Sequence, residues 1–275
     1  MNEPRPAAAP QGAGELQRRV VSALILAAVI LALTLWGGWP FRLAWVLVAG
    51  IVAYEWLSIV SRANAVAAGA GVAAAGLVLA VLPLSAAAVA GVTAAAALIG
   101  ALAAPFVRAR LPLELCGVAY ALAFAMITPA LRDWPAVGLA LILWSFAVVW
   151  LTDIAAYFTG RKLGGPKLMP RVSPKKTWSG ATGGTLAGTV AGTLIWSWAT
   201  TGAFGLNGRV LVASLIASIV SQAGDLYESA LKRRFDTKDS SGLIPGHGGF
   251  LDRLDGYWAV LVLSGLALFA FHIEF

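Results

Sequence analysis

Between Gly224 and Asp255 the chain reads GDLYESALKRRFDTKDSSGLIPGHGGFLDRLD, a concentration of acids, bases and glycines inside otherwise apolar sequence. Asp252 and Asp255 stand at i and i+3 where a helix is expected to begin, so both carboxylates project to one side. Asp225 and Glu228 repeat that spacing at the expected end of the preceding helix. Such oxygen pairs suit Mg2+, which takes one or two protein carboxylates and completes its octahedron with water and phosphate oxygens. Together Asp225, Glu228, Asp252 and Asp255 offer a possible cage for one or two metal ions. A competing reading has Asp252, Arg253 and Asp255 capping and pairing at a helix N-terminus, where acids complement the macrodipole. The turn Pro245-Gly246-His247-Gly248-Gly249 favours the first reading, because its glycines permit close backbone approach and its amides can form an anion-binding nest. His247 is a candidate for proton transfer or phosphate contact, and equally for an architectural place in the turn.

Basic residues flank these acids. Lys232, Arg233, Arg234 and Lys238 follow Asp225 and offer a clamp for lipid or nucleotide phosphates, with a plain membrane-facing basic loop as the alternative. A second basic stretch, GRKLGGPKLMPRVSPKKTWSG from Gly160 to Gly180, follows Asp153 and Tyr157. Within it Ser173, Lys175, Lys176 and Thr177 present hydroxyls and ammonium groups to a triphosphate, although the glycine spacing of a Walker A loop is absent. Asp153 ends an apolar run, where a carboxylate is costly unless it is paired, hydrated or metal-bound.

The elements that must carry these groups are membrane spans. The chain has 275 residues, is 59% hydrophobic and 12% charged, and has a mean hydropathy of +0.81, which excludes an ordinary water-soluble domain. The expected fold is an all-α polytopic membrane protein of about nine crossings at roughly 20 residues each. They are placed near 20 to 36, 41 to 60, 64 to 82, 84 to 104, 113 to 131, 136 to 158, 181 to 200, 209 to 230 and 255 to 273. Residues 1–19, rich in Pro, Ala and Gly, read as a disordered cytoplasmic tail, and 20–275 as a single membrane domain with its catalytic half at about 150–260. With that tail inside, only Arg42, Arg132 and Arg209 of the 20 lysines and arginines fall on the far side, so the N-terminus and the Gly224–Asp255 segment are expected to face the cytosol.

The net charge of +7 sits mostly in short loops, where anionic headgroups and the positive-inside rule account for it without nucleic acid. A lone cysteine, Cys116, excludes an internal disulfide, a cysteine zinc cluster and a redox pair. Ser214, Ser218, Ser221, Asp225 and Ser229 share one helix face, a polar stripe leading to Asp225 or a set of helix–helix hydrogen bonds. Gly184, Gly188 and Gly192 form a small-residue face for close packing, within the chain or in a homodimer.

The stretch Ser229–Asp255 resembles the phosphatidate cytidylyltransferases, or CDP-diacylglycerol synthases: S-x-L-K-R, four residues, K-D, then L-I-P-G-H-G-G-F-x-D-R-L-D. GDLYES and the SPKKT loop extend the likeness back to about Asp153, while the first half matches only in being apolar spans. Two departures stand out: Ser179 where many members carry glutamate, and Ser241 where glycine is common. The resemblance implies Mg2+-dependent transfer of a cytidylyl group from CTP to phosphatidic acid, giving CDP-diacylglycerol and pyrophosphate. It implies catalytic roles for Asp225, Asp252, Lys232 and His247, and metal binding by Asp225, Asp252 and Asp255. Substrate contacts fall to Ser173, Lys175, Lys176, Thr177, Arg233, Lys238, Asp239, Gly246, Gly248, Gly249 and Arg253. The partners implied are the two substrates, membrane lipid and a second copy of the chain, in a bacterial inner membrane with the site facing the cytoplasm. Rival readings are another CTP- or lipid-phosphate-using enzyme, such as a polyprenol kinase, and an ion-coupled transporter.

Overall fold

The computed structural model describes residues 13–61, 64–81, 86–103, 109–244 and 248–270. Among the described residues the chain forms nine α-helices: α1 (Ala13–Trp36), α2 (Gly38–Val60), α3 (Ala65–Val81), α4 (Ala86–Ala103), α5 (Arg110–Arg132), α6 (Gly138–Leu163), α7 (Trp178–Thr201), α8 (Gly208–Arg234) and α9 (Leu251–Gly265). A π-helical turn, Leu266–Ala270, continues α9. Every apolar run read as a span holds one of these helices. Among the described residues four helical stretches are long and apolar enough to cross a membrane: Gly38–Val60, Leu111–Arg132, Gly138–Leu163 and Gly208–Arg234. Helix α1 begins at Ala13, inside the stretch read as a tail, while residues 1–12 lie outside the described residues.

The purely α expectation needs one amendment. The second basic stretch folds as an antiparallel hairpin of β1 (Lys167–Met169) and β2 (Ser173–Thr177), with Lys167 opposite Thr177 and Met169 opposite Ser173. Pro170 presets the backbone of the turn, which closes where the Val172 amide donates to the Met169 carbonyl at 3.1 Å. Thr177 then caps α7, its hydroxyl accepting from the Gly180 amide at 3.1 Å.

Two kinds of packing hold the helices. Around α2, α5 and α9 the core is aromatic: Trp45 stacks between Phe124 and Tyr257 at 5.8 and 5.3 Å, and Trp258 stacks on Tyr120 at 4.1 Å. Trp258 also donates its indole N–H to the Tyr120 carbonyl at 2.9 Å, which fixes the rotation of α9 against α5. Around α6, α7 and α8 the contact depends on small residues. Gly184 lies on the Thr152 carbonyl, Gly188 on Thr152 and Ser218, and Gly192 on Val148 and Ser214. The glycine face is thus consumed inside the chain and is not available to a homodimer. The serine stripe divides accordingly: Trp144 donates to Ser214 at 2.8 Å and Thr152 pairs with Ser218 at 2.6 Å, both helix–helix bonds, whereas Ser229 donates to Asp225 at 3.3 Å.

Helix α9 meets α8 where Gly224 faces the backbone of Asp255. A Cβ on Gly224 would stand 2.6 Å from the Asp255 carbonyl oxygen and 2.7 Å from the Ala259 Cβ. Gly224→Ala should therefore separate the two helices and destabilise the fold by about 1–3 kcal/mol, the usual range for overpacking. A lowered thermal-unfolding midpoint in detergent checks this.

Candidate active site

The chemistry-bearing residues gather where α2, α6 and α8 end and α7 and α9 begin. Two carboxylates organise the connection between α8 and α9. Asp252, in the first turn of α9, accepts on Oδ2 from the Gly249 amide at 2.8 Å, the Ser240 amide at 2.9 Å and the Ser240 hydroxyl at 3.0 Å. Its Oδ1 takes the Lys232 ammonium at 2.5 Å. Burial alone would raise the Asp252 carboxyl, but Lys232 and the Gly249 and Ser240 amides outweigh it and hold the group below the usual carboxylate range. Lys232 in turn binds Glu228 at 2.7 Å, one helical turn back on α8. Glu228, Lys232 and Asp252 thus form an ion triad whose side chains are largely out of solvent, and Lys232 and Asp252 point at each other rather than at open solution.

The second carboxylate escaped the sequence reading. Glu55 is fully buried in α2 and accepts from both ends of the same connection. Its Oε1 takes the Ser241 hydroxyl at 2.6 Å and the Phe250 amide at 3.0 Å, and its Oε2 takes the Ser240 hydroxyl at 3.1 Å and the Leu251 amide at 2.7 Å. The available signal was an acid in the middle of AYEWLS, with no charged residue nearby to balance it in an apolar span. Ser241, a departure from the family pattern, is one of its donors.

The loop itself is tight. The Ile244 amide donates to the Gly248 carbonyl at 2.8 Å. The expected roles of Gly246 and His247 fall on residues 245–247, which lie outside the described residues. Gly248 has φ +84°, a conformation that side chains resist. A Cβ on Gly249 would meet the Ser240 hydroxyl at 2.0 Å and Glu55 Oε1 at 2.4 Å, so this position admits only glycine.

A second acidic group faces the hairpin. Asp225 on α8, half-buried, pairs with Lys176 of β2 at 2.6 Å. Asp255 is buried beside it, and the Asp153, Asp225 and Asp255 carboxylates are near enough to repel one another. Arg253 is exposed, its charge reaching Asp153. Arg233 leans on the hairpin, donating to the Val172 carbonyl at 3.4 Å. Lys175, Lys238 and Asp239 are exposed, Ser173 is half-buried in β2, and Thr177 is buried as the α7 cap. Ser179 donates to the Gly164 carbonyl and so ties α7 to the end of α6.

The structure therefore separates the predicted acids into two groups. Asp252 is spent on backbone amides and Lys232, while Asp225 and Asp255 stand with Asp153 beside Lys176. Among the described residues no three acidic, histidine or cysteine side chains converge into a ready-made cage. Magnesium does not need one, since one or two carboxylates and phosphate oxygens suffice. Hard oxygen donors that repel one another, with one lysine beside them, fit such an ion, and Asp225 and Asp255 are the residues that would hold it.

Comparison with known proteins agrees with the motif. The model of a family described as "Cytidylyltransferase family" matches residues 17–271. The chain is 41% identical over 259 residues to the phosphatidate cytidylyltransferase of Brucella suis, covering 93% of this chain and 94% of that one. The Brucella abortus protein of the same name is also 41% identical over 259 residues, with the same coverage. The Staphylococcus aureus phosphatidate cytidylyltransferase is 41% identical over 132 residues, 48% of this chain and 50% of that one.

The ion triad has a measurable consequence. Lys232→Met leaves Glu228 and Asp252 facing each other without a cation and should destabilise the protein by about 3–5 kcal/mol. Adding Asp252→Asn and Glu228→Gln to that variant should recover part of the loss, because the three residues act as one unit. Thermal unfolding of the single and triple variants measures both effects.

Proposed function

Because this chain belongs to the cytidylyltransferase family, we propose that it transfers the cytidylyl group of CTP to phosphatidic acid, forming CDP-diacylglycerol and releasing pyrophosphate in phospholipid synthesis. The observation that carries the reading is the family match across nearly the whole chain, with its most distinctive stretch folded around a polar cluster at the helix ends. A site at that level meets a lipid headgroup and a water-soluble nucleotide together. Acids at the helix ends fit this better than ion-coupled transport, which usually places its ligands near the midplane.

The reaction asks little acid–base chemistry of the protein. The phosphate monoester of phosphatidic acid is already ionised near neutral pH, and its oxygen attacks the α-phosphorus of CTP. The new O–P bond forms as the bond to the β-phosphate oxygen breaks, and pyrophosphate leaves with that electron pair. What remains is alignment and neutralisation of charge. Asp225 and Asp255, with Asp153 beside them, are assigned the metal. Magnesium, when bound, would neutralise triphosphate oxygens and favour departure of pyrophosphate. Lys176 orients Asp225. Lys175, Arg233, Lys238 and Arg253 supply positive charge for the phosphates, and Gly248 and Gly249 bring backbone close to them; the roles expected of Gly246 and His247 rest on the sequence motif alone. Lys232 and Asp252 hold that loop.

In the membrane we assign nine crossings with the N-terminus and the site on the cytoplasmic face of a bacterial inner membrane. The positive-inside bias supports that direction. So does the placement of Arg42 with Asp133, at the start of α2 and the end of α5, away from the site.

Protein purified in detergent should release pyrophosphate only when CTP, phosphatidic acid and Mg2+ are all present, and chelation should abolish release. Asp225→Asn should lower kcat by about 100-fold or more, the scale of losing one transition-state stabiliser, while keeping the thermal midpoint. Undiminished release by the variant would remove Asp225 from the metal site.

A further inference from the structure

The strongest buried acid outside the assigned machinery is Glu55. We infer that Glu55 is a positioning residue for the reaction: from the N-terminal half of the chain it fixes the first turn of α9, and with it the glycine loop and Asp255, in the reactive arrangement. The inference rests on the cytidylyltransferase reading for its kinetic consequences, and on geometry alone for the structural contact.

Both oxygens of Glu55 are engaged. A carboxylate has about four lone-pair sites; the Phe250 and Leu251 amides and the Ser241 hydroxyl occupy three, and the Ser240 hydroxyl, 3.1 Å from Glu55 Oε2 and 3.0 Å from Asp252 Oδ2, shares its one proton between the two carboxylates. Seryl hydroxyls can rotate, but the amides of Phe250 and Leu251 can only donate. An amide side chain of equal length would have to turn its NH2 toward one of these N–H groups, leaving a buried donor unpaired. Charge contributes as well, because the carboxylate faces the amides that open α9, where a negative group is favoured. The same donors link the two carboxylates of the loop, since Ser240 bonds Glu55 through its hydroxyl and Asp252 through both hydroxyl and amide. Asp255 lies one helical turn beyond Leu251, so a shift of the α9 entrance moves it against Asp225. Displacements of about 1 Å in such an arrangement can cost about 100-fold in rate.

Two variants separate acceptor chemistry from space filling. Glu55→Gln preserves volume and loses an acceptor, whereas Glu55→Asp loses a methylene and keeps both oxygens. The geometry expects Glu55→Gln to lower kcat/KM for CTP by about 10-fold to 100-fold, the scale of losing an orienting partner, and Glu55→Asp to retain more activity. A space-filling role gives the opposite order. In hydrogen–deuterium exchange the amides of Phe250 and Leu251 should exchange at least about 10-fold faster in Glu55→Gln, with the core of α5 unchanged. That readout needs no substrate, so wild-type protein inactive toward CTP and phosphatidic acid would defeat the functional reading and leave the contact still under test. If Glu55→Gln does not fold, Glu55→Ala, which removes both acceptors, carries the exchange test. Wild-type exchange at Phe250 and Leu251 in folded Glu55→Gln or Glu55→Ala, or Glu55→Gln more active than Glu55→Asp, overturns the inference.

Discussion

Backbone amides that leave helical structure inside an apolar bundle must find acceptors, and the site is organised around how this chain supplies them. The connection from α8 to α9 brings the amides of Ser240, Gly249, Phe250 and Leu251 into the protein. Two carboxylates accept from them: Asp252 from Ser240 and Gly249, and Glu55 from Phe250 and Leu251. An unpaired buried amide costs about 1–3 kcal/mol, and four of them would exceed what a short loop can tolerate. Glu55 and Asp252 remove that cost together. They also bring charge into the bundle, and Lys232, shared between Asp252 and Glu228, offsets part of it.

The acids proposed to hold the metal depend on that solution and on glycine. Asp225 and Asp255 become neighbours because Gly224 lets α8 rest on the backbone of α9 and Gly256 lets α9 rest on Ser221. Lys176 reaches Asp225 because the β-hairpin folds back over the ends of α6 and α8, secured by the Thr177 cap and the Ser179 contact to Gly164.

Much of this was legible in the residues. Apolar runs located the helices, because that signal is local, whereas the i, i+3 pairs were divided: Glu228 and Asp252 meet at Lys232, and Asp225 pairs with Lys176. Glu55 was not legible: its donors lie some 185 to 196 positions away, and nothing in AYEWLS names them. The β-hairpin was missed because its strands are short and carry no apolar alternation, so KLM and SPKKT read as loop. Asp252 was read as a metal ligand, and its use on loop amides depends on the tertiary path of Ser240, which spacing along a helix cannot express. Ser214 and Ser218, by contrast, were read with their helix–helix role open, and their partners Trp144 and Thr152 decide for it.

The central claim is that phosphatidate attacks the α-phosphorus of CTP. The most direct measurement follows labelled phosphorus from CTP into the lipid extract, with the label at the α position in one reaction and at the γ position in a parallel one. The account predicts that α-label enters the lipid in step with pyrophosphate release and that γ-label stays wholly in the aqueous phase as pyrophosphate. Transfer of γ-label to lipid would make the protein a kinase and contradict it.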